Sequence, residues 1–528
     1  MMYRVLICDP LSEEGIRPLL DAEDVEAIAD PSLSHEELLE AVKSVQAIIV
    51  RSQTQVTREV IEHAENLQVI GRAGVGVDNI DLDAATEHGV VVVNAPDGNT
   101  ISTAEHTMAM LMSLARNIPQ AYHQLQQKRW ERKKFVGVEL KGKTLGVVGF
   151  GRIGREVAQR AKGQRMKVIA YDPFLNQEKA DKAGVDHGTL QEVLQQADFL
   201  TVHTPLMEET KHLIDREAIQ LMKPGARILN CARGGIVDED ALYQAIQSGK
   251  IAGAALDVFE EEPATEHPLL SLTEVVATPH LGASTVEAQE NVATDVSYDV
   301  LEHLRGGTVR NPVNMPSVSS EMMEQLSPYF KLSERLGAFL SRVVEGTLER
   351  VSVYYSGELT DVDTTPLTRI AIKGILRRHI GQRVNDVNAF KTASDKGIVI
   401  NEQKSTSTKG FTNLLTVEIE TDQEKRSIAG TLLNGLGARI VQLDQYSIDV
   451  VPDGNLILIH HKDQPGAIGR VGSLLSEHNM NIATMQVGRT NQGGDAVMVL
   501  TVDKEVESEC QDRLGEITDI NKVQCLTL

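Results

Sequence analysis

Three side chains near the middle of the chain have the types and the placement needed to act on an organic acid. Arg233, Glu262 and His280 each come a few residues after a short apolar run of strand type. An arginine binds a carboxylate through two parallel N–H donors. A histidine exchanges a proton with the oxygen of a 2-hydroxy or 2-oxo acid during hydride transfer, and a neighbouring glutamate orients the imidazole and stabilises its charged form.

Taken singly, each of these residues has an ordinary structural explanation, since the run from Glu260 to Glu262 would also make a solvated acidic turn. The strands of a parallel α/β sheet end at one common edge, and ligands bind beyond that edge. Three consecutive strand ends that carry an arginine, a glutamate and a histidine therefore favour the functional interpretation.

A glycine-rich turn upstream of these residues predicts a dinucleotide site. Gly149, Gly151 and Gly154 follow the apolar run 145–148 in G-x-G-x-x-G spacing and open the helix-like segment 155–162. In such a unit the first glycine permits the tight turn, the second lets the backbone approach a pyrophosphate, and the third lets helix and strand pack closely. The helix N-terminus then offers its N–H groups and the positive end of its dipole to the phosphates.

The acidic residue expected in this unit is Asp172, which ends the strand-like run 168–171 and lies 21 residues after Gly151. A carboxylate at this point accepts hydrogen bonds from ribose hydroxyls and repels a 2′-phosphate. The pattern therefore predicts NAD rather than NADP. A glycine turn alone would be an ordinary loop, but the strand, helix, second strand and acidic residue in this order favour a dinucleotide site.

The flanking sequence alternates strand-like and helix-like segments, which predicts parallel α/β sheets. In the first hundred residues, strand-like runs lead to Arg51, Gly74 and Asn99, at the edge where such sheets bind ligands. A surface charge and plain loop residues explain these positions equally well. The helix after Asn99 is apolar on most sides and should be buried, so we expect His106 to be a hydrogen-bonded core histidine rather than a catalyst.

A basic cluster surrounds Trp130 and comprises Arg129, Arg132, Lys133 and Lys134. In a chain with 52 basic and 75 acidic residues, and a formal net charge of −23, the cluster would help to attract an anionic substrate. A solvated face near a hinge explains it equally well. The acidic balance argues against nucleic acid and anionic membranes as partners.

The cysteines and the apolar runs bear on the compartment. Cys8, Cys231, Cys510 and Cys525 are scattered without metal-ligand or disulfide spacing, which suits a reducing compartment. The N-terminus lacks a basic segment followed by an apolar stretch, and the apolar runs have the length of strands. We therefore expect a soluble, cytoplasmic protein without a bound metal.

Several of these segments together resemble the D-isomer-specific 2-hydroxyacid dehydrogenases. The resemblance covers about residues 3–315, and it rests on the glycine-rich unit and on the segments 231–238, 257–263 and 279–285. It implies that Arg233 clamps the substrate carboxylate, that His280 is the acid/base and that Glu262 is its partner.

The resemblance also implies which residues surround the ligands. Arg51, Ser52, Gly74 and Asn99 would lie toward the substrate together with Arg233. The glycines of the glycine-rich turn, Arg233 and His280 would lie around NAD with Val75, Arg152, Ile153, Asp172, Thr204, Cys231, Ala232, Asp257, Gly282 and Ala283.

Within this family the chain is most similar to members that oxidise 3-phospho-D-glycerate at the first step of L-serine biosynthesis. We therefore expect an NAD-dependent oxidation of this acid to 3-phosphooxypyruvate. Two alternatives stay open: a glyoxylate or hydroxypyruvate reductase, and an NAD-sensing interaction protein. The complete set of Arg233, Glu262 and His280 favours the enzyme.

The order of segments predicts a discontinuous substrate-binding domain. It would comprise residues 1–98 and 288–316, with an NAD-binding domain at 99–287 inserted between them. Residues 317–452 carry no catalytic signature and are expected to form an α/β module, which the resemblance identifies as an intervening regulatory domain. Both lobes of the dehydrogenase would then flank a cleft that closes over the substrate.

Residues 453–528 read as β-α-β-β-α-β, the ferredoxin-like plan, and are similar to an ACT domain, which binds amino acids between paired domains. The resemblance implies L-serine as a candidate effector where His461, Asp463 and Asn481 converge, although Asp463 replaces an asparagine of some members. We expect the sheet to expose its edges and one face, to be covered by a second copy. The expected assembly is a homo-oligomer, a tetramer by analogy. A purely structural dimerisation module is the alternative.

Overall fold

The structure, a computed structural model, describes residues 2–316, 320–381 and 383–528. The domain boundary expected after residue 316 meets residues 317–319, which lie outside the described residues. Among the described residues, no helix has the length and apolar character needed to cross a membrane.

The first unit is a five-stranded parallel sheet with the order β2-β1-β3-β4-β5. All four residues of β3 are buried, because helices cover both faces of such a sheet. Its elements are β1 (Tyr3–Ile7), α1 (Glu13–Leu20), β2 (Val25–Ala29), α2 (His35–Ala41), β3 (Ala47–Val50), α3 (Arg58–His63), β4 (Val69–Arg72), α4 (Leu82–Glu87) and β5 (Val91–Asn94).

The second unit is a seven-stranded parallel sheet with the order β12-β11-β10-β9-β6-β7-β8. Its helices are α5 (Thr100–Arg116), α6 (Ile118–Gln126), α7 (Arg152–Gly163), α8 (Gln177–Ala183), α9 (Leu190–Gln196), α10 (Arg216–Leu221) and α11 (Glu239–Gln247). Its strands are β6 (Thr144–Val148), β7 (Lys167–Tyr171), β8 (Asp186–His187), β9 (Phe199–Val202), β10 (Ala226–Asn230), β11 (Ile251–Leu256) and β12 (Val275–Ala277). The strand order reverses between β6 and β9, and a crevice at such a switch point is where doubly wound sheets bind dinucleotides.

Helix α12 (Val286–Leu304) returns the chain to the first unit. It packs against α1 and β4, and its residues Val292, Val296 and Val300 belong to the same buried cluster as Val5 and Val69. The chain therefore crosses between the two parallel units twice, along α5 and along α12.

The third unit is a six-stranded mixed sheet with the order β14-β13-β15-β16-β17-β18. Only the pair β13 and β14 is parallel. Its elements are α13 (Ser320–Val343), β13 (Leu348–Gly357), α14 (Thr365–Ile380), α15 (Ala389–Asp395), β14 (Val399–Ser405), β15 (Asn413–Thr421), β16 (Lys425–Leu433), β17 (Gly437–Leu443) and β18 (Tyr446–Val450). The long helices α13 and α14 pack against each other, and α13 also lies against β15 and β16.

The last unit has the expected β-α-β-β-α-β order and an antiparallel sheet, β20-β21-β19-β22. Its elements are β19 (Asn455–Lys462), α16 (Ala467–Glu477), β20 (Ile482–Arg489), β21 (Asp495–Val502), α17 (Ser508–Gly515) and β22 (Ile520–Thr527). Fold class is thus as predicted: two Rossmann-like parallel sheets, an intervening α/β unit and a ferredoxin-like ACT unit.

The expectation that one face of the last sheet is open is wrong. Leu456, Leu458 and Val497 lie in the same buried cluster as Leu336 and Tyr355 of the third unit. Because side chains alternate along a strand, one face of the sheet packs on its own helices and the other on the third unit. The third unit therefore covers the second face of this sheet, and its strand β18 also lies against the edge strand β20.

Polar contacts join the same two units. Asp453 receives ion pairs from Lys331 at 2.7 Å and Arg335 at 3.2 Å, and the Gln524 amide donates to the carbonyl of Val343 at 3.0 Å. The last two units therefore share one continuous apolar core with polar ties at its border.

Candidate active site

A cleft of about 1110 Å³ opens between the first and second units. It lies beyond the carboxyl ends of their strands, where parallel sheets bind ligands. Its residues of predicted function, from the two units together, are Arg51, Ser52, Val75, Asn99, Arg233, Asp257, Glu262, His280 and Ala283.

His280 and Glu262 form the central contact of the cleft. Nδ1 of His280 lies 2.9 Å from Oε2 of Glu262, and Oε1 of Glu262 accepts a hydrogen bond from the backbone N–H of Phe259 at 3.1 Å. Both side chains are about half exposed, at 46% and 38%. With Nδ1 engaged, Nε2 is the imidazole nitrogen available to a substrate oxygen.

Asp257 holds the backbone that carries His280. Its carboxylate accepts from the backbone N–H groups of Leu281 at 2.7 Å and Gly282 at 2.8 Å, and its carbonyl accepts from the N–H of His280 at 2.8 Å. His280 has a left-handed φ of 56°, which non-glycine residues seldom adopt, so these bonds stabilise a strained conformation. The buried Asp257 carboxylate meets a burial penalty, but these bonds and His106 hold its pKa below the usual range.

His106 lies on α5 and approaches Asp257 from the other side. Its Nε2 lies 3.1 Å from Oδ1 of Asp257 and 3.2 Å from the hydroxyl of Thr278. The hydrogen bonds are those that the apolar helix predicts for His106, although its side chain is partly exposed, at 19%, rather than fully buried. Two further bonds, Ser102 to Thr285 at 2.7 Å and Thr103 to the carbonyl of Gly282 at 3.3 Å, tie α5 to the loop of His280.

Three arginines gather in the cleft. Arg233 and Arg51 stand near Arg72, whose guanidinium is largely buried. Burial, followed by the charges of Arg233 and Arg51, lowers the pKa of Arg72 to about 10. Its Nε is buried and has no hydrogen-bond partner among the described residues. A cluster of cations with an unused donor is a site for an anionic group.

Gly74 gives Arg72 its room. A Cβ built on Gly74 would lie 1.5 Å from Nη1 of Arg72, and Gly74 has a φ of 155°. Gly74 thus leaves room for the guanidinium of Arg72, and its place toward the substrate stays a prediction. Asn99, at the start of α5, keeps its Oδ1 buried without a partner among the described residues.

The glycine-rich turn has the geometry that a dinucleotide needs. Gly149 has a φ of 92° and passes close to the carbonyl of His203, and a Cβ on Gly154 would lie 2.2 Å from the carbonyl oxygen of Gly149. By contrast, a Cβ on Gly151 would meet nothing within 4 Å, so open space faces the N-terminus of α7. A pyrophosphate fits this space, beside the first N–H groups of the helix.

Polar atoms around this turn agree with a bound dinucleotide. The two oxygens of Asp172 accept from the N–H groups of Phe150 and Phe174, both at 2.8 Å, so the carboxylate is fixed at the end of β7. The Thr204 hydroxyl and Nδ1 of His203 are buried without a partner among the described residues. The residues present therefore fit NAD.

The remaining predicted cofactor residues lie behind the turn or at its flanks. Cys231 is buried, and burial raises the pKa of its thiol to about 12, so it stays a neutral thiol. Ala232 donates its N–H to the side chain of Asn230 at 3.0 Å, and Ile153 packs against the core under α7. Arg152 extends from the start of α7 to an ion pair with Asp97.

The three predicted effector residues do not converge within one chain. Asp463 follows β19 and lies beside the end of β20, where it pairs with Arg489 at 2.8 Å. Asn481 precedes the start of β20 and bonds Asp503 at 2.9 Å. Seven residue steps of about 3.3 Å separate the ends of this strand by roughly 23 Å. His461 is buried, with Nε2 unpartnered among the described residues. The predicted convergence belongs to an interface between two copies, so it stays a prediction.

Sequence reasoning missed Arg72, Asp78 and Asp97 as separate site residues. Arg72 ends β4 at the edge where Arg51 follows β3, so the rule that ligands bind at strand ends would have found it. Asp78 lies in the loop after β4 and pairs with Arg233 at 3.3 Å. No sequence pattern predicts such an ion pair, because Asp78 and Arg233 are 155 residues apart in the chain.

Comparison with protein families identifies three segments. Residues 108–282 match the D-isomer specific 2-hydroxyacid dehydrogenase NAD-binding domain, residues 325–444 match the D-3-phosphoglycerate dehydrogenase intervening domain, and residues 455–518 match the ACT domain. Together they agree with the second, third and fourth units of the fold.

Similar proteins extend over the whole chain. It is 44% identical over 527 residues to a D-3-phosphoglycerate dehydrogenase of Bacillus subtilis and 46% identical over 528 residues to one of Methanocaldococcus jannaschii, with 100% of each chain covered. A crystal structure of a Thermus thermophilus protein superposes with a TM-score of 0.55 and 36% identity, and covers 59% of this chain and 99% of its own. That match is the size of the first two units.

Proposed function

We propose that this chain, which belongs to the D-3-phosphoglycerate dehydrogenases within the D-isomer-specific 2-hydroxyacid dehydrogenase family, oxidises 3-phospho-D-glycerate to 3-phosphooxypyruvate with NAD. This reaction is the first step of L-serine biosynthesis. The observation that supports it best is a cleft in which Arg233 and the His280–Glu262 pair stand with Arg51 and Arg72. A substrate with a carboxylate at one end and a phosphate at the other needs cations at both ends.

Residues of the second unit carry the chemistry in this proposal. Arg233 holds the substrate carboxylate by two parallel N–H donors. Nε2 of His280 accepts the proton of the substrate hydroxyl, and the Glu262 carboxylate at Nδ1 stabilises the imidazolium that forms. Asp257 acts as a positioning residue, because its bonds hold the backbone of His280. NAD, when bound, accepts the hydride.

The substrate phosphate binds the arginines of the first unit in this proposal. Arg72 has a buried, unused Nε and stands close to two other cations, so an anion there would relieve their repulsion. Arg51 lies at the same edge, with its backbone N–H held by Asp9 at 2.5 Å. This pair distinguishes a phosphorylated acid from glycerate or lactate, which offer only the carboxylate.

NAD reduction assayed with 3-phosphoglycerate, glycerate and lactate tests the proposal. We expect a preference for 3-phosphoglycerate in kcat/KM. Equal rates with glycerate and 3-phosphoglycerate would contradict the proposed phosphate site. Faster reduction of glyoxylate or hydroxypyruvate would mean that the enzyme is a reductase of those acids. Absence of turnover with all of these acids, together with NADH binding, would indicate a sensor.

We also propose a homo-oligomer, a tetramer by analogy. Every residue of helix α6 is at least partly exposed, and its Ile118, Tyr122 and Leu125 are exposed close to the exposed Trp130. Such an apolar patch suits a second copy. The basic cluster beside Trp130 would then lie at an interface. Mass measurement in solution tests this assembly, and a monomer would contradict it.

L-Serine is the proposed effector of the ACT unit. Because Asn481 lies far from His461 and Asp463 in one chain, the site would combine residues of two paired copies. Serine would act by binding one lobe arrangement better than the other. Calorimetry with L-serine tests this proposal. If no heat of binding is measured at millimolar serine, the ACT unit serves assembly only. We place the enzyme in the cytoplasm, where its four free cysteines stay reduced.

A further inference from the structure

Two ion pairs bridge the cleft from one parallel unit to the other. Nε of Arg233 lies 3.3 Å from Oδ2 of Asp78, and Nε of Arg152 lies 2.5 Å from Oδ1 of Asp97. Both arginines belong to the second unit and both aspartates to the first. The proposed function assigns Arg233 to the substrate carboxylate, and the sequence predicts Arg152 beside NAD.

We infer that Asp78 and Asp97 are internal competitors of the two ligands. Asp78 occupies the carboxylate site on Arg233, and Asp97 occupies the phosphate site on Arg152, until substrate and NAD displace them. The inference rests on the proposed function, because it takes Arg233 as the substrate clamp. It makes the two aspartates determinants of ligand affinity that do not touch the reacting atoms.

The Arg233 site is preformed apart from Asp78. Nη1 of Arg233 donates to the carbonyl of Ala232 at 2.7 Å, and a Cβ on Gly76 would lie 2.0 Å from Nη2. The bond to Ala232 and the close approach of the Gly76 backbone restrict the guanidinium independently of Asp78. The Asp78 side chain is 68% exposed, so it can turn into water when a substrate carboxylate with the same charge and planar shape arrives.

The second pair has the same arrangement. Arg152 is the first residue of α7, next to Gly151 and the open space beyond it. The Asp97 side chain is 67% exposed and reaches Arg152 from the loop before α5. The phosphates of a dinucleotide would bind at this helix N-terminus, next to the guanidinium that Asp97 now holds. NAD would therefore exchange one anion for another at this end of the cleft.

This exchange has two consequences. Each ligand binds more weakly than it would to an unpaired arginine, by the small free energy of an exposed ion pair. Each binding event also removes one contact between the lobes, so the lobes become free to take up a new arrangement around the ligands. The two effects separate by ligand, because Asp78 pairs with Arg233 and Asp97 pairs with Arg152.

Asp78→Asn and Asp97→Asn in the full chain test the inference, with KM for 3-phosphoglycerate and calorimetric Kd for NADH as the two measurements. We expect Asp78→Asn to lower the KM roughly two- to fivefold and to leave the Kd unchanged. Asp97→Asn should lower the Kd by a similar factor and leave the KM unchanged. Glu261→Gln is the matched control. It removes one charge beside the cleft, and among the described residues Glu261 forms no ion pair, so it should change neither value.

Three outcomes would overturn the inference. A KM that rises in Asp78→Asn would mean that Asp78 helps to bind substrate. Equal effects of Asp78→Asn and Glu261→Gln would mean a general charge effect. If Asp78→Asn leaves the KM unchanged while Arg233→Lys raises it, Asp78 does not compete with the substrate, but Arg233 still binds the substrate carboxylate. If Arg233→Lys leaves the KM unchanged as well, the clamp of the proposed function fails. Asp78→Ser provides a second variant should Asp78→Asn fold poorly.

Discussion

His280 and Glu262 are joined at 2.9 Å between Nδ1 and Oε2, while the backbone of His280 is held in a left-handed conformation by Asp257. The imidazole is thus fixed from two sides, by a carboxylate on its ring and by a carbonyl on its N–H. A proton acceptor fixed in this way needs little reorganisation when the substrate hydroxyl arrives. The pair comes from the loops after β11 and β12, which are neighbours in the sheet.

Replacing His280 with glutamine should remove the proton acceptor and keep the size of the side chain. General acid–base catalysis typically contributes about 10²- to 10⁴-fold, so we expect kcat with 3-phosphoglycerate to fall by that order. The Kd for NADH should change little. Turnover close to that of the unchanged enzyme would refute the assignment of His280.

Glu262→Gln tests the support that the carboxylate gives to the imidazole. Oε2 of Glu262 lies 2.9 Å from Nδ1 of His280, and a neutral amide there would stabilise the imidazolium less well when the ring takes the substrate proton. We expect kcat with 3-phosphoglycerate to fall, while the Kd for NADH changes little. Steady-state rates and calorimetry measure the two values. An unchanged kcat would mean that the carboxylate does not support the proton transfer.

Arg72→Gln probes the phosphate end of the cleft. Loss of a charged hydrogen bond costs about 1.5–3 kcal/mol, which is roughly 10- to 100-fold in kcat/KM with 3-phosphoglycerate. Glycerate has no phosphate, so its kcat/KM should change far less. Arg233→Lys is the contrasting variant and should reduce kcat/KM for both acids, because an ammonium cannot make the two-pronged contact. Equal losses for both acids in Arg72→Gln would exclude a phosphate role.

Asp172 should set the preference for NAD. Its oxygens also hold the N–H groups of Phe150 and Phe174, so Asp172→Ala changes both charge and loop support. Asp172→Asn is the better-matched variant, since it keeps one oxygen acceptor and removes the charge that repels a 2′-phosphate. We expect the ratio of kcat/KM for NADP to that for NAD to rise in both variants. An unchanged ratio would show that other residues discriminate.

The positions of the candidate catalytic and cofactor residues could be predicted because they follow rules that are local in sequence. Gly149, Asp172, Arg233 and His280 each lie at the end of a strand that a short apolar run announces, and parallel strands bring their ends together. Arg72 also lies at a strand end, but it stands within a glycine-rich segment and was not singled out as a site residue. The rule carries no information on which charges pair across the two lobes, so ion pairs such as that of Arg233 with Asp78 could not be predicted from the sequence.

The surroundings of the last sheet could not be predicted for a different reason. The run Leu456 to Ile459 in β19 is continuously apolar and buried, and the sequence does not say whether the partner of the second face is a copy or a neighbour. The structure puts the third unit there, through Leu458 and Val497. Likewise, the effector residues were grouped by resemblance, and the strand length between Asp463 and Asn481 separates them in one chain.

The shared core makes a prediction about where the chain can be cut. A chain ending at residue 452 would lose Leu456, Leu458 and Val497 and expose the apolar surface of the third unit. We therefore expect it to aggregate or to melt at a temperature well below that of the full chain.

A chain ending at residue 316 removes both units together. The Thermus thermophilus protein matches over a length close to that of the first two units, so this shorter chain should stay folded and reduce NAD with 3-phosphoglycerate. Its activity should not respond to L-serine. Melting curves and solution mass of the two truncations beside the full chain measure the effect. A stable, fully folded chain of 452 residues would mean that the two units do not depend on each other for their core.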